Sequence, residues 1–243
     1  MIDISNPMVQ IDRLDKRFGS LQVLKDLSLR INRQEITAII GHNGSGKTTL
    51  IKIILGLTRA DSGRLFIDGQ MINADWLYRE RIGYMPQVAC FPENLTGWEV
   101  LNMLKDLRGN PSDIDEELIE AWHMESELNK RIRTLSGGNK QKVSAVIAFL
   151  FKQELIILDE PTAGLDPIAS SILKDKIISE RDKGTTFILT SHIMSEIDSL
   201  ADNIAFLFDG GVEVIGKKEE ILLQSGQNTL ERAIAHLMQE AVA

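Results

Sequence analysis

The sequence predicts an α/β protein built on a parallel sheet with crossover helices. Three observations carry this. Short apolar runs at 35–40 ("EITAII"), 155–160 ("LIILDE") and 185–192 ("TTFILTSH") have strand length. "LIILDE" is apolar up to its acidic end, as expected of a parallel strand covered on both faces. Helical patterns alternate with these runs, the signature of crossover connections.

The elements follow in order. "EITAII" ends at Gly41, and "TLIKIILGL" (49–57) has helical apolar spacing, giving strand, glycine loop and helix. "SGRLFIDGQMI" (62–72) reads as a hairpin turning at Asp68-Gly69. Two helical patterns, "LTGWEVLNMLKDLRG" and "DIDEELIEAWHMESEL", flank Asn110-Pro111. Helices are expected again at 168–181 and 193–200, and "IAFLFDGGVEVIG" (204–216) reads as a hairpin on Gly210-Gly211. The tail places Leu230, Ile234, Leu237 and Ala241 on one helical face. No internal repeat or low-complexity run divides the chain.

Composition narrows the function. The 243 residues are 43% hydrophobic and 26% charged, ordinary for a globular chain with a sizeable core. A net charge of −8 is the wrong sign for a protein whose main partner is nucleic acid, so none is expected. Cys90 is the single cysteine, which excludes an intrachain disulfide and a cysteine cluster for zinc. The first ten residues lack the basic start and apolar core of a signal peptide. The longest apolar stretch, 143–151, is about half of a membrane span. The expectation is a soluble, cytoplasmic protein that depends on another chain for any work across a membrane.

Gly41, Gly44, Gly46, Lys47 and Thr48 match G-x-x-x-x-G-K-[ST] between a strand and a helix, the context that the pattern requires. Glycines let the backbone close on phosphate, and the helix start offers N–H groups and partial positive charge. Lys47 can reach the β- and γ-phosphates, and the Thr48 hydroxyl can ligate Mg²⁺. The remaining loop residues, His42, Asn43, Ser45 and Thr49, belong to the same cradle for ATP. Asp159 and Glu160 end a strand at the edge where α/β sheets bind ligands. A cation beside triphosphate suits Asp159, and Glu160 can orient or deprotonate water. The alternative is a helix cap or a solvated loop.

"LSGGNKQ" (135–141) poses a second question, because Ser136 followed by Gly137 and Gly138 reads by itself as an N-cap with a glycine entry turn. With the other motifs it resembles the signature of the ATP-binding cassette (ABC) ATPases. The resemblance covers nearly the whole chain and fixes the motif order. It implies that adenine stacks on Phe18 of "DKRFG" and that Gln87 of "IGYMPQ" contacts Mg²⁺. It also implies that Asp166 closes the "AGLD" loop and that His192 of "LTSH" meets the γ-phosphate. The implied catalytic set is Glu160, His192, Lys47 and Gln87, with Thr48, Gln87 and Asp159 around the metal. Two positions depart from the family pattern: Asn139 replaces the usual glutamine and Ile147 a frequent arginine.

The resemblance further implies a P-loop NTPase core, a RecA-like parallel sheet with helices on both faces. To this it adds an N-terminal antiparallel β subdomain and an inserted helical subdomain. The expected boundaries are 1–86 with 134–225 for the core, 87–133 for the helical, permease-contacting part, and 226–243 for a C-terminal helix. Such cassettes form homodimers head-to-tail, so that one subunit's 136–138 closes over ATP on the other's P-loop. They work on the inner membrane face through a separate permease, an arrangement that also allows an accessory periplasmic protein. The short helical region and the C-terminal ending resemble the exporter-type branch. Within it, 84–111, 135–151 and 161–177 resemble the ATPase of nitrous-oxide reductase copper maturation. A regulatory or ribosome-associated ABC ATPase is the alternative; the chain lacks the second cassette, coiled-coil insertion and basic surface expected of a nucleic-acid form, and it keeps Glu160 and His192.

Overall fold

Burial that alternates along Val9–Phe18 (β1) and Leu21–Ile31 (β2) makes the N-terminal segment an antiparallel hairpin, registered from Val9↔Ile31 to Phe18↔Leu21. The computed structural model describes residues 6–73 and 76–240. They divide into two compact units, Met1–Arg79 with Thr186–Ala243, and Glu80–Thr185.

The first unit continues with the buried strand Ile36–Ile40 (β3), helix Lys47–Ile54 (α1), and strands Ser62–Ile67 (β4) and Gln70–Met71 (β5). β4 lies antiparallel on β1, giving the order β2-β1-β4-β5. Asp68 (φ 52°) and Gly69 (φ 72°) make the tight turn between β4 and β5, as the sequence predicts.

The second unit holds strand Ile82–Met85 (β6), then helices Gly97–Leu107 (α2), Glu117–Ala121 (α3), Glu125–Leu128 (α4) and Gly137–Phe149 (α5). Strand Leu155–Asp159 (β7) and helix Pro167–Asp182 (α6) complete it. β6 and β7 pair in parallel. A capping box fixes the start of α2: Thr96 and Glu99 each bond the other's backbone N–H. The pattern at 113–128 predicts one helix, but the structure has two. His123 (φ 52°) ends α3, with Met124 N–H bonded to Ile119 O at 2.9 Å and His123 N–H to Glu120 O at 3.1 Å. That left-handed C-cap turns the chain while Ile119, Trp122 and Met124 all stay buried, so the apolar periodicity runs through the break.

α6 is tied down by Lys176, whose side chain is only 2% exposed. Its ammonium donates to Asp115 (2.5 Å), Glu117 (2.6 Å) and Glu180 (3.0 Å). Burial pulls the ammonium pKa down, but the bonds to these carboxylates outweigh it and raise it.

The chain returns to the first unit with strand Thr186–Thr190 (β8), helix Met194–Leu200 (α7), strands Asn203–Phe208 (β9) and Gly211–Lys217 (β10), and helices Lys218–Ser225 (α8) and Leu230–Glu240 (α9). β3 pairs in parallel with β8 and with β9, and β10 closes antiparallel on β9. The β9–β10 turn is Asp209-Gly210, both at positive φ, rather than Gly210-Gly211; Gly211 already begins β10. Leu230, Ala233 and Ile234 of α9 pack in a core with Ile40, Ile197, Ile204 and Phe206. Of the expected apolar face, the Leu237 side chain and Ala241 lie outside the described residues.

Candidate nucleotide site

In the first unit, register aligns two sequence-predicted segments. Ile39 pairs with Thr190 and Ile40 with Phe206, so the loop from Gly41 and the 191–193 segment leave adjacent parallel strands at the same carboxyl end. This is where open α/β sheets bind ligands. Gly46 occupies the N-cap of α1 at φ 104°, and a side chain there would lie 2.6 Å from Leu24 Cδ2. No side chain caps α1 and its first turn has no acidic residue, so its N–H groups remain for an outside acceptor.

Three further details fit a polyanion. The Ser45 hydroxyl is fully buried and has no hydrogen-bond partner. Lys47 Nζ rests on the loop itself, donating to Gly41 O (2.7 Å) and His42 O (3.1 Å). Asn43, Gly44 and Thr48 are exposed, with Thr49 half-buried on the first turn of α1. His42 meets Phe208 edge-on, with centroids 5.5 Å apart. Phe18 is 51% exposed at the β1–β2 tip, and β2 backs Gly46. The Lys16 ammonium lies 5.2 Å from the Phe18 ring centroid, and the ring's exposure leaves apolar surface on which a flat ring can stack.

His192 is exposed just beyond β8. Its loop is held by groups that sequence reading missed. The buried Ser191 hydroxyl donates to Glu196 Oε2 and accepts from Ile193 N–H at 3.0 Å. Glu196 is 1% exposed.

In the second unit, Met85 pairs with Leu158, so Gln87 and the Asp159–Glu160 pair also follow adjacent parallel strands at one end. Gln87 is exposed, whereas Asp159 and Glu160 are 7% and 9% exposed. Glu160 has φ 55°, a left-handed conformation that costs a non-glycine residue on the order of 1 kcal/mol or more. Tyr84, on β6, is pushed up to about 12 by burial and then by the Asp159 charge. The predicted metal donors, from Thr48, Gln87 and Asp159, are all oxygen, which is the donor chemistry Mg²⁺ takes.

Ser136 takes the N-cap place that its own residues suggest. Its Oγ accepts from Asn139 N–H at 3.2 Å and N-caps α5, which leaves its O–H proton for another acceptor. Gly137 is exposed. A side chain on Gly138 would sit 2.9 Å from Gly164 O, so the signature loop lies against the 163–166 loop. Asp166 N-caps α6 through Ala169 N–H (2.8 Å) and pairs with Lys142 at 3.4 Å. Chiefly the backbone bond holds its carboxyl below the ordinary range. Of the departures, Asn139 donates to Glu127 Oε2 at 2.7 Å, and Ile147 is half-buried. Neither Lys142 nor Glu127 carried a sequence signal.

A glycine loop feeding an uncapped helix at the carboxyl end of a parallel sheet defines a P-loop nucleotide-binding protein. The sequence model of the ABC transporter family matches residues 24–163, and the chain belongs to that family. Human phospholipid-transporting ATPase ABCA3 is 36% identical over 212 residues, which is 85% of this chain and 12% of ABCA3. The chain thus spans about an eighth of that relative's length. The linearmycin resistance ATP-binding protein LnrL of Bacillus subtilis is 31% identical over 92% of this chain and 73% of its own. A solved ATP-binding subunit of an ABC transporter superposes with a TM-score of 0.89 at 30% identity, covering 95% of this chain and 99% of that one. These likenesses agree with the α/β, P-loop NTPase fold.

Proposed function

We propose that the protein binds and hydrolyses ATP as one of two head-to-tail cassettes driving a separate membrane permease. The observation that carries this is the cradle at 41–49, with its buried, unpartnered Ser45 hydroxyl and uncapped α1 N-terminus. In this reading, α1 and Lys47 hold the phosphates and Phe18 takes the adenine. Glu160 accepts the proton of the attacking water, and His192 donates to the γ-phosphate. Thr48, Gln87 and Asp159 would hold Mg²⁺, which would supply charge neutralisation for the phosphates. Ser136 and the N–H groups of Gly137 and Gly138 close on the partner's nucleotide, and Asp166 completes that face.

Among the described residues no helix is long and apolar enough to cross a membrane; the separate permease and the place at the inner face of the membrane rest on the family resemblance. We assign 87–133 to the permease contact on the family resemblance. An accessory periplasmic protein would act through that permease. The relatives' names, one for phospholipid transport and one for linearmycin resistance, support an exporter-type role. The finer assignment, to copper-site maturation of nitrous-oxide reductase, rests on the resemblance of 84–111, 135–151 and 161–177 alone.

Phosphate release from ATP tests the proposal. The wild type should hydrolyse ATP with Mg²⁺ and stop in chelator, and Lys47→Ala should abolish turnover. Metal-independent hydrolysis untouched by Lys47→Ala would refute it.

A further inference from the structure

We infer that Glu127 is a positioning residue for the signature loop, holding the first turn of α5 through Asn139. This rests on the proposed trans-acting role of 136–138.

α5 opens on Gly137 and Gly138, the weakest helix formers after proline, with one cap bond of 3.2 Å from Ser136. Such a start needs a second anchor to hold one geometry. Asn139 is the first α5 residue with a side chain, and its Nδ2 donates to Glu127 Oε2 at 2.7 Å in a partly buried setting. Glu127 is itself fixed by the Lys130 ammonium, whose hydrogen bond is the main cause holding its carboxyl below the ordinary range. It is therefore an ionised, acceptor-only group at neutral pH, and hydrogen bonds to ionised groups are the stronger ones.

The Glu127 end is anchored as well. Leu128 is fully buried. Just beyond α4, Ile132 N–H bonds Leu95 O at 2.8 Å and Arg133 N–H bonds Glu93 O at 3.1 Å. Two backbone bonds thus fix 132–133 on 93–95, and the chain leading back to α4 carries the Glu127–Asn139 bond to the start of α5. Asn139 therefore commits its amide donor within the subunit, and the Ser136 hydroxyl and the N–H groups of 137–138 remain for phosphate. Releasing Asn139 should let the loop leave its competent geometry. If that geometry is then held about a tenth of the time, apparent ATP affinity falls roughly tenfold while turnover at saturation is kept.

The test is steady-state ATP hydrolysis by the full chain against ATP concentration, for Glu127→Ala, Asn139→Ala, the double variant and Glu127→Gln, with Ser136→Ala as reference. The inference expects KM to rise roughly tenfold in each alanine variant, with kcat changed less than about twofold. The double variant should be no worse than either single one, because the two residues act as one unit. Glu127→Gln keeps an accepting oxygen and should restore KM to within about threefold of wild type. Unchanged KM in the alanine variants, additive losses in the double, or no rescue by glutamine, with Ser136→Ala impaired, would overturn the inference and leave the signature's role standing. Wild-type kinetics in Ser136→Ala would instead overturn that role, and the inference with it.

Discussion

At the scale of residues, Glu160 combines burial, a strained backbone and a place at the end of β7. Strain of this kind persists where surrounding structure over-determines a conformation. If its carboxylate takes the proton from water, Glu160→Gln should bind ATP normally but hydrolyse it roughly 10²–10⁴-fold more slowly. Nucleotide titration and phosphate release check the two halves, and near wild-type turnover would remove Glu160 from the chemistry. Ser191 acts more quietly. Its hydroxyl serves Glu196, buried at 1%, and Ser191→Ala should destabilise the fold by about 1–3 kcal/mol in urea unfolding. The places of Glu160 and His192 just beyond β7 and β8 were legible because each sits in a contiguous motif next to a strand. The Ser191–Glu196 pair was not, since nothing in a five-residue spacing from loop to helix marks two polar residues as buried together.

At the scale of elements, the glycine loop and α1 were readable because strand, turn chemistry and helix are adjacent in sequence. The break between α3 and α4 was not, because the buried apolar spacing continues through Trp122 and Met124 across the left-handed His123. The anchoring of α6 was equally hidden, with Asp115 and Glu117 61 and 59 residues from Lys176. Lys176→Met should strand three carboxylates and cost about 1–3 kcal/mol, reduced from the fully buried case by the exposure of Glu117. Its acid response should also change. Burial pushes the Glu180 carboxyl up, but the Lys183 and Lys176 ammoniums outweigh this and hold it below the ordinary carboxylate value. A depressed carboxyl stabilises the fold above its unfolded pKa, and that stability is lost as pH falls through the folded pKa. Wild type should therefore lose stability as pH falls below about 4.5, and Lys176→Met, which removes one of the two ammoniums that hold Glu180 down, should lose less over the same range. Thermal melts across that range decide it; parallel curves would dismiss the Lys176 cluster as an electrostatic anchor.

At the scale of the whole molecule, the chain carries both a P-loop and a signature loop, and the account gives them to different nucleotides. In the proposed dimer, one subunit would supply Lys47 to its own ATP and 136–138 to its partner's. If 136–138 were only a capped helix start, Ser136→Ala would cost about 1 kcal/mol of stability and little turnover. A donor aimed at the transferring phosphate is instead worth on the order of 3–4 kcal/mol of barrier. The most direct measurement mixes Lys47→Ala, which has a dead P-loop and a sound signature, with Gly138→Asp, which has the reverse. A head-to-tail pair of the two contains one site with both halves intact and one with neither. The account predicts that the mixture hydrolyses ATP faster than either variant alone. No recovery, with mixed dimers demonstrated and one intact site shown to suffice in a pair of wild type with the double variant, would contradict a signature that acts across the dimer.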